Sequence, residues 1–534
     1  MTPAALRFAH RKSALAANTN GASRSTPGIA GLCVLMLWLL CGQSVAGQAW
    51  PQAGYDESAA GRGDVPGPHR LKVDWQYPLD GWATSPIVDE AGTVYVATQH
   101  GTLNAVTSDG EQKWRRRWRG PELQRPQDVS KQEWEERVDL GLNFGGRIVS
   151  CALLTDGRLV VAQDVVGTET GTSQLLFLDR ETGQTLHRVD ITPARFAGKI
   201  TVGSGSEILF TTTDHLVHCV SSQGETLWQT SLPDVLSSVA VGANGVVYVG
   251  GDQLRGLDLE TGAIRFEASP EVGSATWVFG PAVADDGTVY IPSGVRASDE
   301  PCLYAFTPEL QLKWKLRVGV VEMTPAVAPN GDVILHVWGR DEIGVHHKPG
   351  LGGGGYRISP EGRAIWHLPP LMAAPPWMAD DVTPGRVLGS DSSPIIGGDG
   401  LIYFGADIGK VFAVVSDGAV LSEVSLGGEF DTRPAIGPTG RLFIAHAGGP
   451  GAAPHGRLFL YAFSEQGREV EPPVAQGSAE DTAAAKREIA YIRVRIEQLE
   501  QDIDAAREDS DKARLIQLEL AALRGELDQL ESGG

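Results

Sequence analysis

From Ser85 to Arg468 the apolar positions fall in short runs, and the breaks between them fall at Gly or Asp-Gly. One unit reads Ser85-Pro86-Ile87-Val88, Ala91-Gly92, Thr93-Val94-Tyr95-Val96, Leu103-Asn104-Ala105-Val106, Asp109-Gly110 and Lys113-Trp114. Runs this short, rich in Val, Ile, Tyr and Trp and bounded by glycine, predict strands joined by tight turns, not helices. The turn glycines supply the positive φ that tight hairpin connections need.

The unit repeats. Its first turn glycine recurs at Gly92, Gly157, Gly205, Gly245, Gly287, Gly331, Gly400 and Gly440. Most intervals are near the roughly 40–50 residues of a four-stranded propeller blade. The longer ones contain insertions, at 119–144, 339–355 and 370–389. A second glycine column precedes the outer strand, at Gly110, Gly183, Gly224, Gly262, Gly362, Gly418 and Gly467, with Glu309-Leu310 in its place in the fifth unit. Four residues on stand Trp114, Trp228, Phe266 and Trp366, with Trp314 at the matching place and His187 and Ser422 as weaker members. The eighth unit begins at Asp431 and lacks an outer strand, while Leu71 to Trp75 has outer-strand character with no unit before it. The expected fold is all-β: an eight-bladed propeller of four-stranded antiparallel blades, closed by the N-terminal strand carrying Trp75, which leaves no open edge to aggregate.

After Gly467 the period changes. Glu471 to Ser478 reads as a linker, and Thr482 to Glu531 has the Ala, Glu, Leu, Arg and Gln composition of helix. Ile489, Ile492, Ile496, Leu499 and Ile503 alternate steps of three and four, a coiled-coil seam; it breaks at Asp509-Ser510 and restarts out of phase through Leu520, Leu523, Leu527 and Leu530. Either an antiparallel hairpin or one long helix with a stutter accounts for the break.

The pattern Ser-Pro-x-Val, x-Gly-x-Val-Tyr-Val, Leu-x-Ala-Val, Asp-Gly-x-x-x-Trp resembles the PQQ-like β-propeller repeat family, in its BamB-like, non-catalytic branch. The opening Trp50-Pro51-Gln52-Ala53-Gly54-Tyr55-Asp56 is similar to that family's Trp-Pro-x-x-Gly-x-Asp lead-in. The family also contains dehydrogenases that use pyrroloquinoline quinone (PQQ) and calcium. The resemblance to those implies a ring of hard oxygen ligands and a disulfide between adjacent cysteines. No cysteines are adjacent here, and no such ligand set is found to carry over. No cofactor, catalytic residue or metal ligand is therefore expected, with PQQ and calcium as the alternative.

Composition sharpens this. The net charge of −21, from 45 Lys+Arg against 66 Asp+Glu, argues against nucleic acid as partner. Residues 1–28 carry Arg7, Arg11, Lys12 and Arg24 without an acidic residue; Ile29 to Leu40 is apolar and Ser44-Val45-Ala46 is a small-x-small site. That is a Sec-type export signal, too short in its apolar core for a comfortable span. Cys151, Cys219 and Cys302, an odd number, read as buried thiols, not a disulfide framework.

Two other clusters carry simpler readings. His336, Asp341, Glu342, His346 and His347 lie beside Gly352 to Gly355 and read as a surface loop, and Arg115 to Arg119 as a charge-protected edge. The expected domains are a signal peptide at 1–46, the propeller at 47–468, a linker at 469–480 and a coiled coil or helical hairpin at 481–532. The expected function is an exported scaffold of the periplasm, cell envelope or extracellular space that binds protein partners, with the tail for oligomerisation or tethering. A quinone-dependent dehydrogenase and a cell-wall or carbohydrate binder are the alternatives.

Overall fold

The structure, a computed structural model, describes residues 49–118, 147–165, 172–191, 194–234, 237–268, 279–293, 302–318, 321, 323–337, 354–368, 392–406, 409–446 and 458–470, and seven tail positions between 493 and 524. The export signal at 1–46, the linker beyond 470 and His346, His347, Asp341 and Glu342 lie outside these.

Eight four-stranded antiparallel sheets follow one another along the chain. Blade 1 runs from its inner strand Ile87–Val88 through Val94–Ala97 and Thr102–Val106 to its outer strand Gln112–Arg117. The inner strands of blades 2 to 7 begin at Arg147, Thr201, Val239, Ala282, Ala326 and Ile395. Blade 8 has Ala435–Ile436, Leu442–Ala445 and Leu458–Ser464, and its outer strand is Lys72–Leu79 from the other end of the chain. Trp75 pairs with Ala462 and Tyr77 with Leu460, so the ring is closed as the repeat count requires. Strand runs with both faces covered explain why the second and third strands are mostly apolar and mostly buried.

The core lies between blades. Ile87, Tyr95 and Trp114 of blade 1 pack with Ile148, Cys151 and Leu159 of blade 2, and Leu209 and Trp228 of blade 3 with Val241 and Val247 of blade 4. Cys151 and Cys219 are buried in these interfaces and Cys302 is buried between blades 4 and 5; burial pushes the Cys151 and Cys219 thiols up to about 12.

The repeat residues form one inter-blade clamp. Trp75, Trp114, Trp228, Trp314 and Trp366 each donate their indole N–H to a carbonyl of the next blade: Ser108, Arg180, Leu259, Pro360 and Ser416, at 2.7–3.0 Å. Each indole lies over the second-column glycine there, and a Cβ on Gly110, Gly183, Gly262, Gly362 or Gly418 would stand within 2.9 Å of it. In the first column, Gly92, Gly157, Gly245, Gly287, Gly331, Gly400 and Gly440 hold φ between +70° and +85°. Gly205 does not: Ser206, with φ 66°, takes that position in blade 3, because the turn runs one residue later than its glycines suggest.

Before each clamp position the outer strand carries a bulge, in all eight blades. Asp74, Lys113, Leu186, Leu227, Arg265, Lys313, Ile365 and Leu421 are the extra residues. A bulge twists the rim strand away from flat pairing, which protects eight outward edges.

Two expectations are corrected. His336 is not on a surface loop: it ends the second strand of blade 6, Val333–Val337, and is 2 % exposed. Gly354 and Gly355 of the glycine run open the next strand, Gly354–Ile358. The apolar strand and its glycine partner continue into what composition alone marks as an insertion.

Candidate functional site

Strand alternation gives the ring two unlike faces. Turns between first and second strands, and between third and fourth, lie on one face and are tight, as at Asp89–Thr93 and Thr107–Glu111. Connections from the second strand to the third, and from one blade to the next, lie on the other. The strand ends that flank the longest stretches between strands open onto this second face: Arg117 and Arg147, Val337 and Gly354, Leu368 and Ile395, Ala445 and Leu458.

On the tight-turn face the segment Trp50 to Val65 follows the inner strands from blade to blade. Trp50 exchanges two backbone hydrogen bonds with Val88 of blade 1, Leu153 N–H of blade 2 donates to Pro51, and Gln52 bonds both the N–H and the C=O of Val202 in blade 3. Val241, Val283, Val327 and Ile396 of blades 4 to 7 then donate to the carbonyls of Glu57, Ser58, Ala60 and Gly61. Inner strands two residues long, as in blades 1, 3, 5, 6 and 7, would otherwise present open backbone groups to the bore, and this strap satisfies them.

Arg433 of blade 8 reaches across to the strap. Its guanidinium donates to the carbonyls of Ala59, Thr324, Pro325 and Pro394 at 3.1–3.4 Å, spanning blades 6 and 7. It is 4 % exposed, and burial pulls its pKa down to about 10, with the Asp56 charge opposing. A Cβ on Gly61, which has φ +65°, would meet this guanidinium at 2.5 Å.

Above the strap, on the long-connection side, the bore holds a cavity of about 220 Å³ with Ala53 among its lining residues. Trp82 and Gln99 of blade 1, Arg147 of blade 2, Lys199 of blade 3 and Asp431 of blade 8 also line it. Lys199 keeps exposed surface but is surrounded by protein; burial and the Arg433 charge pull its ammonium down to about 8, which leaves it largely protonated at neutral pH.

This lining does not fit a calcium-held quinone. Calcium takes six to eight oxygens, several of them carboxylate. One carboxylate, Asp431, stands here against two cations, and among the described residues no three His, Cys, Asp or Glu gather as a metal site.

The remaining sequence candidates are absorbed structurally. Arg115 pairs with Asp80 at 2.7 Å, and Arg116 donates to the Thr182 and Gly183 carbonyls of blade 2. Trp118 packs against the blade 1–blade 2 core. In the tail Arg493, Ile496, Glu500, Ile503, Gln517, Leu520 and Arg524 have helical backbone. Leu520 is 6 % exposed, and Arg524 donates to Glu500 at 2.6 Å. Ile489, Ile492, Leu499, Leu523, Leu527 and Leu530 lie outside the described residues. Among the described residues no helix is long and apolar enough to cross a membrane.

The strap and Arg433 were not found from sequence, although Trp50 to Asp56 stood out as a motif. The signal available was the glycine and small-residue run at Gly54, Ala59, Ala60 and Gly61, which marks close backbone approach.

Comparison with known proteins agrees with this architecture. No curated protein matches the chain. The structure of BamB from Moraxella catarrhalis is 15 % identical, with a TM-score of 0.46 over 75 % of this chain and 99 % of that one. The quinohemoprotein alcohol dehydrogenase ADHIIG from Pseudomonas putida HK5 is 12 % identical, with a TM-score of 0.54 over 83 % of this chain and 85 % of that one; at that identity the likeness is one of fold. Residues 213–375, from blade 3 through blade 6, match the family described as "Outer membrane protein assembly factor BamB". That match spans blades 3 to 6 of the eight-bladed ring, and over this stretch the chain is similar to that family.

Proposed function

We propose that the protein is an exported scaffold that holds protein partners of the cell envelope on the long-connection face of its propeller. The observation that supports this reading is the asymmetry of the ring: Trp50 to Val65 is bonded along the inner strands at one face, while the strand ends flanking the longest connections open onto the other. Binding concentrates on loops carried by a rigid frame, and the likeness to an outer-membrane assembly factor points to an envelope protein as partner.

The tail serves as a tether in the form of an antiparallel helical hairpin. Glu500 and Arg524 are 24 residues apart and in contact; on one straight helix they would be roughly 36 Å apart. A hairpin buries its own seam, so it extends the scaffold without requiring a second copy. Immobilised full-length protein and a version lacking residues 478–534 are compared for capture from an envelope extract, and for mass by light scattering. The reading expects a defined protein captured by both, held more weakly by the truncated form, and equal oligomeric state. Capture of nothing by either form would overturn the scaffold, and a fall from dimer to monomer on truncation would overturn the self-contained hairpin.

A further inference from the structure

We propose that the bore cavity above the strap binds a small aliphatic di- or tricarboxylate. Its volume of about 220 Å³ lies below the roughly 300–1,000 Å³ of drug-sized sites, the scale of a compact organic acid. It is a recess open on one side, lined by Ala53 of the strap and by the inner-strand region of blades 8, 1, 2 and 3.

Its lining mixes cations, hydroxyls and one carboxylate, and two of its side chains carry donors that lack an acceptor. Trp82 Nε1 and Gln99 Nε2 are shut off from solvent and have no hydrogen-bond partner. Such orphaned donors are rare in folded proteins and destabilising unless a ligand or water satisfies them. The Ser150 and Thr432 hydroxyls are already committed, to Ile200 N–H and to the Ala445 carbonyl. Arg147 and Lys199 add two cations, and among the described residues neither has an ion-pair partner; Asp431 is the one lining carboxylate and has a partner of its own.

A cationic, donor-lined recess at the centre of a chain of net charge −21 is complementary to a ligand that is both negative and rich in acceptors. Carboxylate satisfies it better than phosphate, because an Arg fork and flanking N–H groups match the planar carboxylate, and among the described residues no helix N-terminus lines the cavity to cradle a phosphate. The chemistry differs from that of a calcium-held quinone, which the lining does not fit, and no covalent step is involved.

The test is calorimetric titration of the full chain with citrate, and separately with succinate and inorganic phosphate, at neutral pH and low salt. The expected result is saturable one-to-one binding of at least one carboxylate. Arg147→Gln and Lys199→Met should each weaken it about tenfold or more, the scale of a lost charge-assisted hydrogen bond. Lys199 is exposed, so its variant is expected to keep the wild-type circular dichroism. Gln99→Leu provides a neutral second probe. Absence of saturable carboxylate binding, affinity unchanged in the folded Lys199 variant, phosphate binding as tight as citrate, or binding of PQQ alone would each overturn the proposal.

Discussion

Trp75 lies across Gly110: a Cβ on that glycine would stand 2.6 Å from the indole Cγ, and the indole N–H reaches the Ser108 carbonyl at 2.9 Å. Trp75 comes from the strand that the N-terminus lends to blade 8, and Gly110 belongs to blade 1. The junction between the two ends of the chain is therefore held by the same clamp that joins blade 1 to blade 2, 3 to 4, 5 to 6 and 6 to 7.

Removing that clamp should weaken the whole ring. Trp75→Ala loses a half-buried indole and one hydrogen bond, a cost of about 2–4 kcal/mol. Gly110→Val puts a branched side chain at φ +86° against the indole, and should cost at least as much. Denaturant unfolding of both variants checks this; midpoints equal to wild type would mean that the lent strand is not needed for closure.

Blades 4 and 5 solve the same contact differently. Phe266 stands where five blades have Trp, and Leu310, at φ 61° and 1 % exposed, stands where the other blades have Gly. The two departures occur together because Leu310 fills the seat an indole would need. Phe266→Trp should therefore destabilise alone, by about 1–3 kcal/mol through overpacking. Adding Leu310→Gly should recover part of it. A double-mutant cycle measures the coupling, expected to be favourable by about 1 kcal/mol; additive effects would show that the seats are independent.

The clamp and the blade count were legible because each rests on residue types that cannot be exchanged freely: glycine at positive φ, and an indole at a fixed distance after it. Gly205 misled because the permissive position had passed to Ser206, which tolerates φ 66° beside two glycines. The bulges left no trace, since an extra residue such as Leu227 or Ile365 looks like ordinary strand until its register is known. The bore was the least legible part. Gln52 meets Val202 150 residues away, and Arg433 meets Ala59 374 away, and no local periodicity encodes such contacts.

Acid should unfold the protein earlier than carboxylate protonation alone would. His218, His336 and His446 are buried, and desolvation pulls them down to about 4, 3 and 4. For His218 the Asp214 charge opposes this shift, and for His446 the hydrogen bond to the Gly427 carbonyl does. Unfolded histidine titrates near 6.5, so between that value and the folded ones the unfolded chain binds more protons. The stability these groups contribute is present above about pH 6.5 and is lost as pH falls through it. At pH 5 the loss is about 2 kcal/mol for each group. Unfolding midpoints should be flat from pH 8 to 7 and decline by pH 5, and His336→Leu should flatten part of the decline. An unchanged slope in that variant would remove His336 from the account.

The strap makes a sharper claim, because it turns sixteen residues that form no blade strand into a determinant of all the blades they touch. Gln52→Leu leaves the Val202 N–H and C=O without partners inside the bore, at about 1–3 kcal/mol for each buried group. Arg433→Met keeps much of the volume but strips the Ala59, Thr324, Pro325 and Pro394 carbonyls of their shared donor, and should cost about 3–5 kcal/mol. Gly61→Ala presses on the same guanidinium from the strap side. If strap and cross-brace act as one unit, the Arg433 and Gly61 substitutions will be far from additive: once the guanidinium is gone, the added Cβ has little left to strike. Hydrogen exchange locates the effect, with faster exchange expected at Val241, Val283, Val327 and Ile396, the inner-strand amides that donate to the strap. Exchange that quickens only in blade 8 would confine Arg433 to its own blade and detach it from the strap.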